Sequence, residues 1–421
     1  MLQSELNKRI ALDFNKNLDA LLAEIRQIKP DFPLEMVEKL ENENILETFF
    51  INNEKRYFRR AARNIFRTDK DLKQFFIKNF GDEKEVRNDF LKKYLPTIVG
   101  QVGALHAMPL QQHFRFNFKL NVNAELKEGE LLRVWLPFPR QDVDCQQNIK
   151  LLYAGAGLQP VPKTDYIISE NSPHQSIYFE KIVKNGEKNE FEVEFEFETT
   201  SFHAVGAGRA LPLQNPTCKT AWLQEQPPHI VFTENMRKIS AQIIGNEQNN
   251  YLKAKKIFEY ISQNFPWAVA REYSTIDNIP EYVLAHKFGD CGQVSLLFIA
   301  LCRLNGIPAR WQSGFMLHPN CENLHDWAEI FIEGVGWLPV DVSFGLQNWT
   351  ENPDLKYFYF GNMDTFRLIV NNDISADFFP KKTFERSETV DFQRGEVETS
   401  TRNLYFDEWE YSFKLMPRIH E

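Results

Sequence analysis

At His113 the hydrophobic period of this chain changes, and that change limits what it can fold into. Before it, apolar residues recur at helical spacing. Leu12, Phe14, Leu18, Leu21, Leu22 and Ile25 keep to one stripe, which Pro30 and Pro33 end. Further helical patterns run over 34–50, 54–66, 70–80 and 84–94. After His113 the period is two. Phe114, Phe116, Phe118 and Leu120 alternate with polar residues, as do Phe191, Val193, Phe195 and Phe197, and LLRVWLPFP (131–139) is a further strand candidate. Lys127-Glu128-Gly129 and Lys184-Asn185-Gly186 supply turn signals, so 113–205 reads as an antiparallel β-sandwich. Residues 206–229 hold four prolines and read as a linker. Helical patterns return at 232–244 and 250–264, and 289–345 reads helix, strand, strand, strand. Beyond 351 the chain is aromatic and strand-like at 357–360, 366–370 and 404–415.

At 421 residues the chain is too long for one hydrophobic core. The expectation is a multidomain α+β protein with four parts. These are a helical domain over 1–112, a β-sandwich over 113–205, a helix-plus-antiparallel-sheet core over 206–350 with its leading linker, and a strand-rich extension over 351–421 packing on the core. The 36 phenylalanines point to large aromatic cores. A net charge of −9 argues against generic affinity for nucleic acid, which needs a basic surface. One basic stretch, Lys55 to Arg67, is interleaved with aromatics and reads as an amphipathic helix with a solvated basic face. The five cysteines are sparse and odd in number, unlike a disulfide framework. The first 25 residues are amphipathic without an apolar run, so neither a membrane span nor a signal peptide is expected. As written the chain reads as cytoplasmic, or as exported if a signal was removed beforehand.

Chemistry concentrates between Gly289 and Asp341. Cys291 follows Gly289-Asp290 and opens an apolar run that Asn305-Gly306 and Pro308 stop, which places it in the first turn of a helix. There, unpaired backbone N–H groups and the helix dipole favour a thiolate and can serve an oxyanion. Gly289 and Gly292 would let the backbone turn tightly. His325 opens one strand and Asp341 ends the next, 16 positions on, with Glu333 to Gly336 as the hairpin loop. An even separation puts both on one face only if the connection holds an odd number of residues, so three or five residues, or a bulge, are expected near Gly334. A nucleophile, a base and an orienting carboxylate make a thiol acyl-transfer site. The bland alternatives are a core cysteine, which is how Cys302 reads, a surface histidine and a turn aspartate. A zinc site of His318, Cys321 and His325 is conceivable, but it would consume the base.

These residues resemble the transglutaminase-like superfamily, part of the papain-like cysteine protease group. The resemblance rests on Gly289-Asp290-Cys291, Gly306-Ile307-Pro308-Ala309-Arg310, His325-Asp326-Trp327-Ala328-Glu329 and Gly336-Trp337-Leu338-Pro339-Val340-Asp341. It implies a papain-like core and an enzyme with Cys291 as nucleophile, His325 as general base and Asp341 as the orienting carboxylate. It also implies Trp267 beside the oxyanion site, with Gly292 in support. Asp326 stands where the family commonly has a small residue. It could raise the histidine pKa, bind a basic group of the substrate or face solvent. Trp135-Leu136-Pro137-Phe138-Pro139 resembles the β-sandwich that precedes this core in bacterial members, and Tyr359 to Asp364 resembles a segment that follows it. The expected reaction is hydrolysis of a peptide or amide through a Cys thioester, with glutamine transamidation as the alternative, or a non-catalytic binding module on the same core. No cofactor and no metal are called for. The expected partner is a peptide or protein substrate, with no nucleic acid, and a protein partner could dock on the helical domain or sandwich.

Overall fold

The computed structural model describes residues 1–100, 110–157, 159–170, 172–203 and 220–416. Cys218 and the 206–219 part of the expected linker lie outside them. Three helices, α1 (Gln3–Asp13), α2 (Leu18–Ile28) and α3 (Glu35–Asn42), precede a hairpin, β1 (Thr48–Ile51) and β2 (Glu54–Tyr57). Then come α4 (Ala61–Thr68), α5 (Lys70–Phe80) and α6 (Glu85–Val99). The strands β3 (Gln111–Val122), β4 (Leu131–Pro137), β5 (Gln146–Ala156), β6 (Tyr166–Ile168), β7 (Ser176–Ile182), β8 (Glu190–Thr200) and β9 (Phe202–His203) follow. Helices α7 (Glu234–Ile244), α8 (Asn250–Asn264), α9 (Ile279–His286) and α10 (Cys291–Leu304) lead to β10 (Ala309–Met316), β11 (Asn323–Ile332) and β12 (Gly336–Val340). The chain finishes with α11 (Pro353–Lys356), β13 (Asn362–Met363), β14 (Arg367–Asn371), β15 (Glu396–Thr399), β16 (Asn403–Leu404) and β17 (Trp409–Leu415). None of the described helices is long and apolar enough to cross a membrane. The architecture is multidomain α+β.

Two compact units emerge, each from three stretches of chain. The first takes Met1–Leu91, Ala210–Ala309 and Trp327–Phe360; the second takes Lys92–Arg209, Arg310–Asp326 and Gly361–Glu421.

In the first unit, Ile10, Phe14, Leu21, Ile25, Leu40, Phe58, Ile65, Phe66, Leu72 and Phe76 bury their side chains in one cluster. The helical reading of 54–66 is corrected here, because Glu54–Tyr57 pairs antiparallel with Thr48–Ile51. Asn52 and Asn53 join the strands with φ of 52° and 63°, the two-residue turn that asparagine tolerates. Around α10 every residue from Gly292 to Arg303 is buried, so this helix has no solvent face and α7, α8 and α9 pack against it. It stops as the sequence implies. Gly306 takes φ +74°, and the N–H groups of Gly306 and Ile307 donate to the carbonyls of Arg303 (3.1 Å) and Cys302 (3.0 Å), a Schellman ending.

In the second unit, two antiparallel sheets run β17-β3-β8-β5 and β16-β15-β4-β7-β6. Phe116, Phe118, Leu120, Val134, Leu136, Phe191, Val193, Phe195 and Phe197 are all wholly buried. The two inner faces meet ring to ring, Phe138 on Phe195 at 5.4 Å and Phe179 on Phe191 at 5.9 Å. The glutamates of EFEVEFEFETT alternate outward, where Lys119 meets Glu192 at 3.0 Å. The tail expected to cover the core divides its strands. β14 pairs with β10, whereas β15 pairs with β4 and β17 pairs with β3 from Phe116 to Val122. Where β14 meets β10 the approach is close. A Cβ on Gly314 would lie 1.9 Å from the Leu368 carbonyl oxygen.

Candidate functional site

Cys291 is the first residue of α10 and is partly exposed. Asp290 caps the helix in a capping box. Its carboxylate accepts from the Gln293 N–H at 2.9 Å, and the Gln293 amide oxygen accepts from the Asp290 N–H at 3.3 Å. The Tyr273 hydroxyl donates to the same carboxylate. Gly289 serves this arrangement by its size, and its φ lies outside the left-handed region. A Cβ there would press on Gln293 at 3.1 Å and Val294 at 3.3 Å. Cys302 is the contrast, wholly buried with its thiol pKa pushed well up by desolvation.

Beside the cysteine's approach runs the segment that carries Trp267. The Gly289 N–H donates to the Pro266 carbonyl (3.3 Å) and the Ala268 N–H to the Gly289 carbonyl (3.1 Å), as in a short parallel ladder. Trp267 is half-buried, with the Arg67 guanidinium 4.8 Å from the centre of its ring. It is therefore a wall residue beside the turn into α10. Gly292 is buried within that helix.

The β11–β12 hairpin has the expected connection. Ile332 pairs with Gly336, three residues join them, and the ladder runs to Ala328↔Val340 without a bulge. Odd-numbered residues of the two strands consequently share a face. Asp341 follows the last rung, is buried, and accepts from the Phe344 N–H at 2.9 Å while its own N–H donates to the Tyr359 carbonyl at 2.9 Å. These two bonds fix its place in the turn after β12.

His325 lies on β11 and is 3% exposed. Within the second unit, Gln393 holds this end of the strand. Its amide nitrogen reaches the carbonyls of Gly314 (2.9 Å) and His325 (3.0 Å) and the Asp326 carboxylate (2.7 Å). Asp326 is buried, which overturns the solvent-facing option. It also bonds to Asp391, whose pKa is raised because burial outweighs the bonds from Asp326 and Ser313 and the nearby Arg394 and Arg386. Gln393 escaped the sequence reading, since nothing local marks a glutamine 68 positions away as the residue that grips His325.

Of the residues weighed for zinc, His318 sits wholly buried 3.3 Å from Asp364. Burial pushes the Asp364 carboxyl up, but the charges of His318 and Arg367 override it and hold the group far below the usual range. Among the described residues no group of three or more His, Cys, Asp or Glu could hold a metal ion.

Residues 237–342 match the model of the Transglutaminase-like superfamily. A Bacillus subtilis protein, YebA, is 24% identical over 134 residues, which is 27% of this chain and only 18% of that protein. A Haemophilus influenzae protein is 22% identical over 327 residues, 68% of this chain and 85% of the other. Among solved structures, a Cytophaga hutchinsonii protein named a "putative cysteine protease" overlaps 75% of this chain and 95% of its own, at 14% identity and a TM-score of 0.43. The periplasmic domain of TgpA from Pseudomonas aeruginosa overlaps 60% of this chain and 98% of its own, at 12% identity and a TM-score of 0.32. Residues 237–342, which carry Cys291, His325 and Asp341, are a domain of the transglutaminase-like superfamily.

Proposed function

We propose that this protein is a cysteine hydrolase that opens a peptide or carboxamide bond through a thioester on Cys291. His325 takes the thiol proton as the sulfur attacks the carbonyl carbon, then gives it to the departing amine or ammonia. Asp341 accepts from the imidazole and steadies its charged form. Water, deprotonated by the same histidine, then hydrolyses the thioester and restores the thiol. The observation that carries this reading is the position of Cys291, a partly exposed thiol at the capped start of an otherwise buried helix inside a transglutaminase-like domain. Two features support it. The β11–β12 hairpin has the three-residue connection that a shared face for odd-numbered residues requires. Trp267 flanks the turn that delivers the cysteine.

The test is mass spectrometry of a glutamine peptide incubated with the protein, with and without added lysine-type amine. Hydrolysis gives cleavage or deamidation that the amine leaves unchanged. A product heavier by the amine, less ammonia, would make the protein a transamidase. No turnover, with Cys291 alkylated no faster by iodoacetamide than Cys302 near neutral pH, would leave a binding module.

A further inference from the structure

The first unit contains a cavity of about 420 Å³ that the proposed chemistry does not use. The end of α8 with the segment through Trp267, together with Gly289 and Val294, forms one side of it, the turn after β12 from Val342 to Leu346 another, and α4, α5 and Lys84 a third. Four cations line it, Arg67, Lys70, Lys73 and Lys84, and no carboxylate does. In a chain of net charge −9 such a collection is unexpected. Arg67 is engaged, because its Nε and Nη2 reach Glu83 at 2.8 and 3.3 Å while its plane covers Trp267. The three lysines are not: none makes a side-chain hydrogen bond or ion pair among the described residues. Lys70 and Lys73 stand one turn apart on α5, and Lys84 precedes α6. Lys84 is an exposed residue, yet desolvation by surrounding protein and the charges of Arg87 and Lys73 bring its pKa down to about 8, against Asp82 and Glu83. Ammonium groups gathered around a cavity that no carboxylate lines gain from an anion entering between them.

Gly289 lies two residues before Cys291, so their Cα atoms are at most about 7.6 Å apart. We infer that this cavity is a substrate subsite for carboxylate, and that the amide attacked by Cys291 belongs to an acidic peptide whose negative charge sits beside the scissile bond. The inference rests on Cys291 being the nucleophile. The charge has two sources, a Glu or Asp side chain and a terminal α-carboxylate.

Two alkylating reagents test the cavity without a known substrate. Iodoacetate and iodoacetamide each form a thioether on Cys291 with loss of iodide, and they differ by one negative charge. The expected result is a rate ratio, iodoacetate over iodoacetamide, that falls about tenfold in K73E/K84E relative to the parent protein. A ratio unchanged in that variant and in K70E, with circular dichroism showing both folded, overturns the inference. Slow alkylation by both reagents would instead refute the nucleophile assignment. Matched peptides with Glu or Gln beside the target amide, each with a free or amidated terminus, then identify the source. Preference for Glu whatever the terminus marks a side-chain subsite, and preference for the free terminus marks an α-carboxylate subsite. Equal kcat/KM for all four would overturn the acidic-substrate assignment.

Discussion

Cys291 and Cys302 stand on one helix and differ in everything that governs thiol chemistry. The first has solvent access and the helix N-terminus; the second is wholly buried, with its pKa raised by desolvation. Alkylation followed by peptide mapping should label Cys291 faster by about tenfold or more at neutral pH. Cys291→Ala should remove activity by about four orders of magnitude or to background while the circular dichroism spectrum is kept. Lys84 gives the subsite a pH signature. Its folded-state pKa is about 8, so its positive charge is present below that value and lost above it. The iodoacetate-to-iodoacetamide ratio should therefore decline as pH rises from 7 to 9. Thiol ionisation affects both reagents alike and cancels from that ratio. Arg87, Lys73, Asp82 and Glu83 face the same ammonium, so changes at any of them should shift the midpoint. Gln393→Leu deletes bonds to three buried acceptors on β10 and β11. It should cost about 1–3 kcal/mol of stability, measured by denaturant unfolding, without touching the thiol.

At the level of elements, much of the site was readable because local rules set it. The start of α10 follows from a capping aspartate before an apolar run, and its end from Gly306. The three-residue link in the β11–β12 hairpin follows from the parity of two residues meant to share a face. Where local signals were weak or overlooked, the reading failed. Asn52-Asn53 between two short β-prone runs was a hairpin signal, but the basic and aromatic stripe that follows at helical spacing obscured it. The surroundings of Asp326 come from Gln393 and Asp391, and the cationic cavity collects residues from 67–84, 262–294 and 342–348. No window of sequence contains such groupings, since tertiary packing creates them. Two variants probe these elements. Asp290→Ala, which removes the cap of α10, should lose about 1 kcal/mol and slow Cys291 alkylation. Gly314→Ala drives a methyl group into the Leu368 carbonyl and should destabilise the β10–β14 ladder by about 1–3 kcal/mol or more, read as a lower denaturation midpoint.

Over the whole molecule, sequence order and spatial grouping part company. Each unit draws on three separated stretches, so a cut at one boundary in the sequence does not release an intact piece. Deleting 351–421 removes β15 and β17 and leaves the edges of β4 and β3 unpaired. The expected product is aggregated or unfolded protein; a soluble, cooperatively unfolding fragment would contradict this. The same threading has a bearing on biosynthesis. On the ribosome β3 must wait for β17, roughly 290 residues later, which at about 5–20 residues per second is a delay of about 15–60 s. During that interval a phenylalanine-rich strand edge is exposed to every other nascent chain. A strand made late, β17, is thus the one that protects β3, made early, and chaperone supply is expected to govern how much protein a cell accumulates.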